Sequence, residues 1–100
     1  MAGAVAADAR RLPALREDLR LLPGAAAVDG SPTWTLHDPA RHRFFRIGWM
    51  EFEILSRWAI GVPGRIAASV AADTTLRASE SDVEAMARFA ISAGLLAPAG

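Results

Sequence analysis

The hydrophobic period of this chain changes once, at Gly48, and that change limits the fold more than any other feature. Before it, apolar and polar residues alternate at the spacing of half-buried strands. In Thr33-Trp34-Thr35-Leu36-His37, Trp34 and Leu36 share one face while Thr35 and His37 share the other. In Arg43-Phe44-Phe45-Arg46-Ile47, Phe45 and Ile47 share a face and Phe44 and Arg46 oppose it. Between these runs, Asp38-Pro39-Ala40-Arg41 fits a type I turn, with Asp at the first position and Pro pre-set at the second. The two runs therefore predict a hairpin. Asp18-Leu-Arg-Leu-Leu22, closed by the turn signal Pro23-Gly24, predicts a short strand ahead of it. With Asp29-Gly30 as a connecting turn, the three form an antiparallel meander.

After Gly48 the period is helical. Met50, Phe52, Ile54, Leu55, Trp58 and Ala59 cover a broad arc, with Glu53, Ser56 and Arg57 opposite, which predicts one mostly buried helix ending at Gly61. Pro63 suits the first turn of a second helix, whose narrow stripe is Ile66, Val70 and the Ala67/Ala71 pair. Ser81-Asp-Val-Glu84 has the form of a capping box for a third helix, with Val83, Met86, Ala87 and Ala90 as its core face. Gly94 suits a left-handed C-cap, after which Leu95-Leu96 folds back on the apolar side. The fold class predicted is α+β, a three-stranded antiparallel meander followed by three helices. Strands segregated from helices in this way build one two-layer domain.

Composition agrees with a single core. The chain has 100 residues, of which 52% are hydrophobic. Alanine supplies 22 of those, leaving 30 larger apolar side chains, enough for one core and too few for two. Residues 1–11 are Ala-rich without a wide apolar stripe and are expected to be a tail, with the domain over residues 12–98. No apolar run approaches the ~20 residues of a membrane span. The N-terminus lacks a basic n-region, and Asp8 interrupts any apolar h-region, so the expected compartment is the cytoplasm. There is no Cys, which removes disulfides, thiolate zinc sites and thiol nucleophiles.

Catalytic motifs are wanting: the chain shows no phosphate-binding glycine loop, nucleophile elbow or His-Glu-x-x-His pair. His37, Asp38 and His42 flank the hairpin turn and could at most form a loose metal site; hydrogen bonding within the loop is the stronger expectation. Glu51 interrupts an apolar arc, but a carboxylate in a first helical turn is favoured by the helix dipole. Arg41-His-Arg-Phe-Phe-Arg46 interleaves bases and aromatics as single-strand nucleic-acid platforms do. Net charge is zero, however, with seven Arg against five acids in residues 1–50 and four against six in residues 51–100. The third helix of a winged-helix DNA-binding regulator should approach phosphates, and here it carries Glu80, Asp82 and Glu84 against Arg88. No nucleic-acid partner is expected. In meander order the third strand is an edge, and an exposed edge is a template for an added strand. The residues expected to hold a peptide are Arg43, Phe44, Phe45, Arg46 and Ile47 on that strand. Glu84, Arg88 and Ile91, on one flank of the third helix, are expected to wall a groove beside it. Homodimerisation through the same edge is the alternative.

Three stretches resemble a known family: Leu12-Pro-Ala-Leu-Arg-Glu-Asp-Leu-Arg20, Asp29-Gly-Ser-Pro-Thr-Trp-Thr-Leu-His-Asp-Pro39 and Arg43-Phe-Phe-Arg-Ile-Gly-Trp-Met-Glu-Phe-Glu-Ile-Leu-Ser-Arg-Trp58. They are similar to the N-terminal region of bacterial peptide zinc metalloproteases, membrane proteins related to site-2 proteases. That region in turn resembles PqqD, a peptide chaperone, and the recognition elements of ribosomal peptide modification. The resemblance spans residues 12–98. It implies a winged-helix-like, non-catalytic domain without cofactor, which takes a substrate or leader peptide on its third strand and against its third helix. It also implies a maturation or export partner, which could place the domain at a membrane, or a role as the recognition part of a membrane peptidase or secretion system. The spans and zinc motif of such relatives would lie beyond Gly100. The hairpin Asp38-Pro-Ala-Arg-His-Arg-Phe-Phe departs from the PqqD pattern.

Overall fold

The computed structural model describes residues 11–97. The alternating segments form β1 (Arg20–Pro23), β2 (Trp34–Asp38) and β3 (Arg43–Ile47), an antiparallel sheet in the order β1-β2-β3. Three helices follow: α1 (Trp49–Ser56), α2 (Pro63–Asp73) and α3 (Glu80–Ala93), with a 3-10 turn, Trp58–Ile60, between the first two. This is the α+β arrangement that the period change predicts. No helix among the described residues is long and apolar enough to cross a membrane.

The sheet is two-faced because its register keeps like with like. Leu21, Leu36 and Phe45 are aligned across the three strands, as are Pro23, Trp34 and Ile47, and all but the exposed Pro23 belong to the core or pack against it. Leu36 and Ile47 join Ile54, Leu55, Trp58, Ile66, Val70 and Val83 in one core. Ile66, Val70 and Val83 have no exposed surface, and burial of each stabilises the fold by about 1.5–3 kcal/mol. Trp34 stacks on Phe52 of α1 with ring centroids 3.7 Å apart.

Three local expectations are corrected. The first helix does not run to Gly61. It stops at Ser56, and Arg57 leaves helical geometry (φ −111°, ψ 13°) before the 3-10 turn, which ends at Gly61 in the left-handed region. Arg57 is held outside the helix by Glu53 (2.6 Å), Ser69 (3.0 Å) and Asp73 (3.2 Å). As a result Trp58 turns inward and Ala59 is exposed. In α2 the stripe is Ile66, Ala67 and Val70, and Ala71 faces out. The capping box of α3 is Ser79 with Asp82, two residues earlier than Ser81 with Glu84: the Ser79 N–H donates to Asp82 at 2.9 Å, and the Asp82 N–H to Ser79 Oγ at 3.3 Å. Both pairs have the required spacing, and the stop of α2 with its following loop selects the earlier. Ser79→Ala should therefore cost about 1 kcal/mol in urea unfolding, and Ser81→Ala only a few tenths.

The two ends of the described segment, residues 11–97, close on each other. The tail expected over residues 1–11 lies outside the described residues except for Arg11, as does residue 98. Arg11 itself is tied down: it donates to the Ile60 carbonyl at 3.1 Å, and the adjacent Leu12 N–H donates to Gly61 at 2.7 Å. The Trp58 indole N–H reaches the Pro13 carbonyl at 2.8 Å. After α3, Gly94 adopts the expected left-handed cap (φ 72°) and Leu95 is fully buried. Residues 95–97 then pair with residues 14–16 through Arg16 N–H to Leu95 (2.9 Å) and Ala97 N–H to Ala14 (2.8 Å).

Candidate functional site

The fold sets two polar or open features around β3, one structural and one available to a ligand. The structural one is built on Asp38, the last residue of β2. Strand alternation turns its side chain to the inner face, where it is 0% exposed. Arg16 meets it at 2.6 Å and Arg43, its cross-strand partner, at 3.2 Å. The Arg16 guanidinium holds the Asp38 carboxyl well below the usual carboxylate range, against the opposing pull of burial, and Arg43 adds to the effect. The same arginines continue to the end of α3. Arg16 donates to the Gly94 carbonyl at 2.8 Å, Arg43 to the Ala93 carbonyl, and Arg41 to that same oxygen at 3.5 Å. Carbonyls at a helix C-terminus carry partial negative charge, so three cations there are well placed. One carboxylate thus locks the hairpin, the N-terminal segment and α3 together.

This arrangement separates the residues of the loose metal site considered above. Asp38 points inward to its arginines, whereas His37 points outward and stacks on Phe44, rings parallel at 4.3 Å. His42 sits in the turn with φ 55°. No group of three or more His, Cys, Asp or Glu suited to a metal occurs among the described residues.

The open feature is the far side of β3. Among the described residues β3 pairs only with β2, so one row of its backbone N–H and C=O groups lacks a strand partner. Beside it runs a groove of about 270 Å³ lined by Arg46, Ile47, Gly48, Glu51, Met86 and Phe89. Phe89 meets Phe45 edge-to-face at 5.3 Å, which sets the separation of α3 from the strand. Glu51 accepts the Gly48 N–H at 3.0 Å, the capping role its position implies, and also lines the groove.

The eight residues expected to hold a peptide divide accordingly. Arg43, Phe45 and Ile47 face inward: Arg43 lies on Asp38 and 5.2 Å from the Phe45 ring centroid, and Ile47 is core. Phe44 and Arg46 face outward, with Phe44 63% exposed. These five share the free edge. The structure does not bring the other three to it. Met86, Phe89 and Ala93 form the side of α3 next to β3, and helical spacing puts Glu84, Arg88 and Ile91 on the opposite side. A helical wheel yields two flanks of a core stripe but not which one lies beside the sheet. Phe89, the one aromatic of α3, was the available signal for the correct flank.

A smaller apolar cavity of about 140 Å³ lies under β1, lined by Leu15, Arg16, Leu19, Leu21, Leu36 and Leu55. Its only charged group, Arg16, is engaged by Asp18 and Asp38.

No family model matches this chain, and neither a curated protein nor a solved structure does so. What the molecule itself defines is a small α+β domain whose edge strand borders a mostly apolar groove.

Proposed function

We propose that this chain is a non-catalytic peptide-binding module that captures a substrate or leader peptide by strand addition to β3 and presents it to a maturation or export partner. The observation that carries this reading is the juxtaposition of the unpaired β3 edge with the groove of Ile47, Met86 and Phe89. Backbone bonds along an edge supply affinity without regard to sequence, and a groove beside it selects alternate side chains. An added strand would direct every second side chain toward Met86 and Phe89, where a large apolar residue fits best. The resemblance to PqqD-like domains points the same way. On the sequence grounds above, the module acts in the cytoplasm, associated with a membrane only through its partner.

The test is an NMR titration of the ¹⁵N-labelled chain with peptides encoded beside its gene. Amides of Arg43 to Ile47 and of Met86 and Phe89 should shift, and Phe89→Ala should weaken binding about tenfold, the effect of truncating a central aromatic anchor. Shifts confined to other regions would overturn the reading. Concentration-dependent shifts of β3 without peptide, accompanied by dimer in sedimentation, would assign the edge to a second copy instead.

A further inference from the structure

The sheet has a second, outward surface, which meets the groove only at Arg46. Its outward residues form two rows across the three strands: Arg20, His37 and Phe44 in one, Leu22, Thr35 and Arg46 in the other. Its two large apolar residues, Leu22 and Phe44, neither belong to the core nor pack against it. Phe44 is 63% and Leu22 42% exposed, large values for such side chains. The register sets Arg20 and Arg46 at opposite corners of this face and the two apolar side chains at the other corners.

The charge on this face is one-sided. None of the six residues is acidic, and neither Arg20 nor Arg46 makes an ion pair among the described residues. By contrast, Arg16, Arg43 and Arg57 are all engaged with carboxylates. Phe44 is also held in place, because His37 lies parallel beneath it at 4.3 Å, so little side-chain freedom remains to be lost on contact.

We propose that this outward face docks an acidic, partly apolar segment of a partner protein. Two strand spacings and two residues of rise separate the Arg20 and Arg46 backbones by about 12 Å. An extended segment with carboxylates about three to four residues apart matches that span, and apolar residues between them would meet Phe44 and Leu22. A single-stranded nucleic acid fits less well. The face offers one free ring surface where base stacking uses several, and the chain carries no net positive charge to hold a phosphate backbone. The face shares Phe44 and Arg46 with the edge strand, but Arg20, Leu22, Thr35 and His37 lie on β1 and β2, away from the free edge, and so distinguish this proposal from the groove and its peptide.

The experiment uses the ¹⁵N-labelled full chain and a synthetic peptide bearing two glutamates four residues apart with leucines between them. Its twin carries glutamine at both positions. Binding of the glutamate peptide should shift Arg20, Leu22, Thr35 and His37 together with Phe44 and Arg46, and the glutamine twin should bind about tenfold more weakly. Arg20→Glu should weaken the glutamate peptide about fivefold or more, the scale of losing one exposed ion pair and gaining a repulsion. It should leave any ligand of the groove unaffected. Shifts restricted to β3, Met86 and Phe89 would sink this proposal while supporting the groove. Equal affinity for the glutamine twin, absence of shifts, or stronger perturbation of the same residues by oligothymidylate or by anionic phosphatidylserine vesicles would each overturn it.

Discussion

Asp38→Ala is expected to lower the thermal unfolding midpoint by about 10–20 °C, the scale for a domain of this size when one partner of a buried ion pair is removed. The effect is large because the carboxylate has no exposure and serves two guanidiniums at once. Without it, Arg16 and Arg43 face one another and the α3 carbonyls with no anion between them. Asp38→Asn keeps the shape and loses the charge, and should recover only part of the loss. The carboxyl's depressed pKa also fixes the sign of a pH effect. Its stabilising contribution is complete above the ordinary carboxylate value of 3.8 and is lost as pH falls below that toward the folded-state value. Wild type should therefore lose stability faster than Asp38→Asn on acidification below about pH 4. Parallel slopes in chemical denaturation at several pH values would refute the role assigned to Asp38.

Trp58→Ala should cost about 3–5 kcal/mol, a large part of the ~5–15 kcal/mol that holds a typical domain. Trp58 is 4% exposed, and its truncation opens a cavity at the centre of the core. It also removes the hydrogen bond to Pro13, which ties the segment of residues 11–16 to the helices. Trp58→Phe keeps most of the packing and should cost about 1–2 kcal/mol, from the lost hydrogen bond and a smaller ring. Urea unfolding reads the stability. Amide exchange distinguishes the two roles: in both variants the Leu12 and Arg16 amides, bonded to Gly61 and Leu95, should exchange faster relative to the global opening rate. Unchanged protection of those amides would show that the segment is held without Trp58.

How much of this was legible beforehand depends on the range of the interaction. Trp34, Leu36, Phe45 and Ile47 announce their inward face through alternation, because a strand has a period of two whatever it packs on. Gly94 and Leu95 were equally readable, since a left-handed cap needs only local backbone geometry. The break at Arg57 was not. The helical period continues through it, and besides Glu53 of the same helix the guanidinium is held by Ser69 and Asp73, which α2 supplies. Asp38 read as a turn residue because its first partner, Arg16, lies 22 positions away. The α3 flank was ambiguous for the same reason: periodicity gives the core stripe two flanks, and that Phe89 rather than Ile91 lies beside β3 depends on how α3 packs on the sheet.

By itself the sequence determined the element order, the inward faces of the two hairpin strands, most of the core and the edge position of β3. These follow from periodicity and turn chemistry within a few residues of each position. The tertiary structure decided which flank of α3 lines the groove, where α1 stops, and that Asp38 is the buried tie between hairpin, N-terminal segment and α3. Each depends on groups distant in the chain, and a buried charge finds its partners only when packing brings them within hydrogen-bond reach.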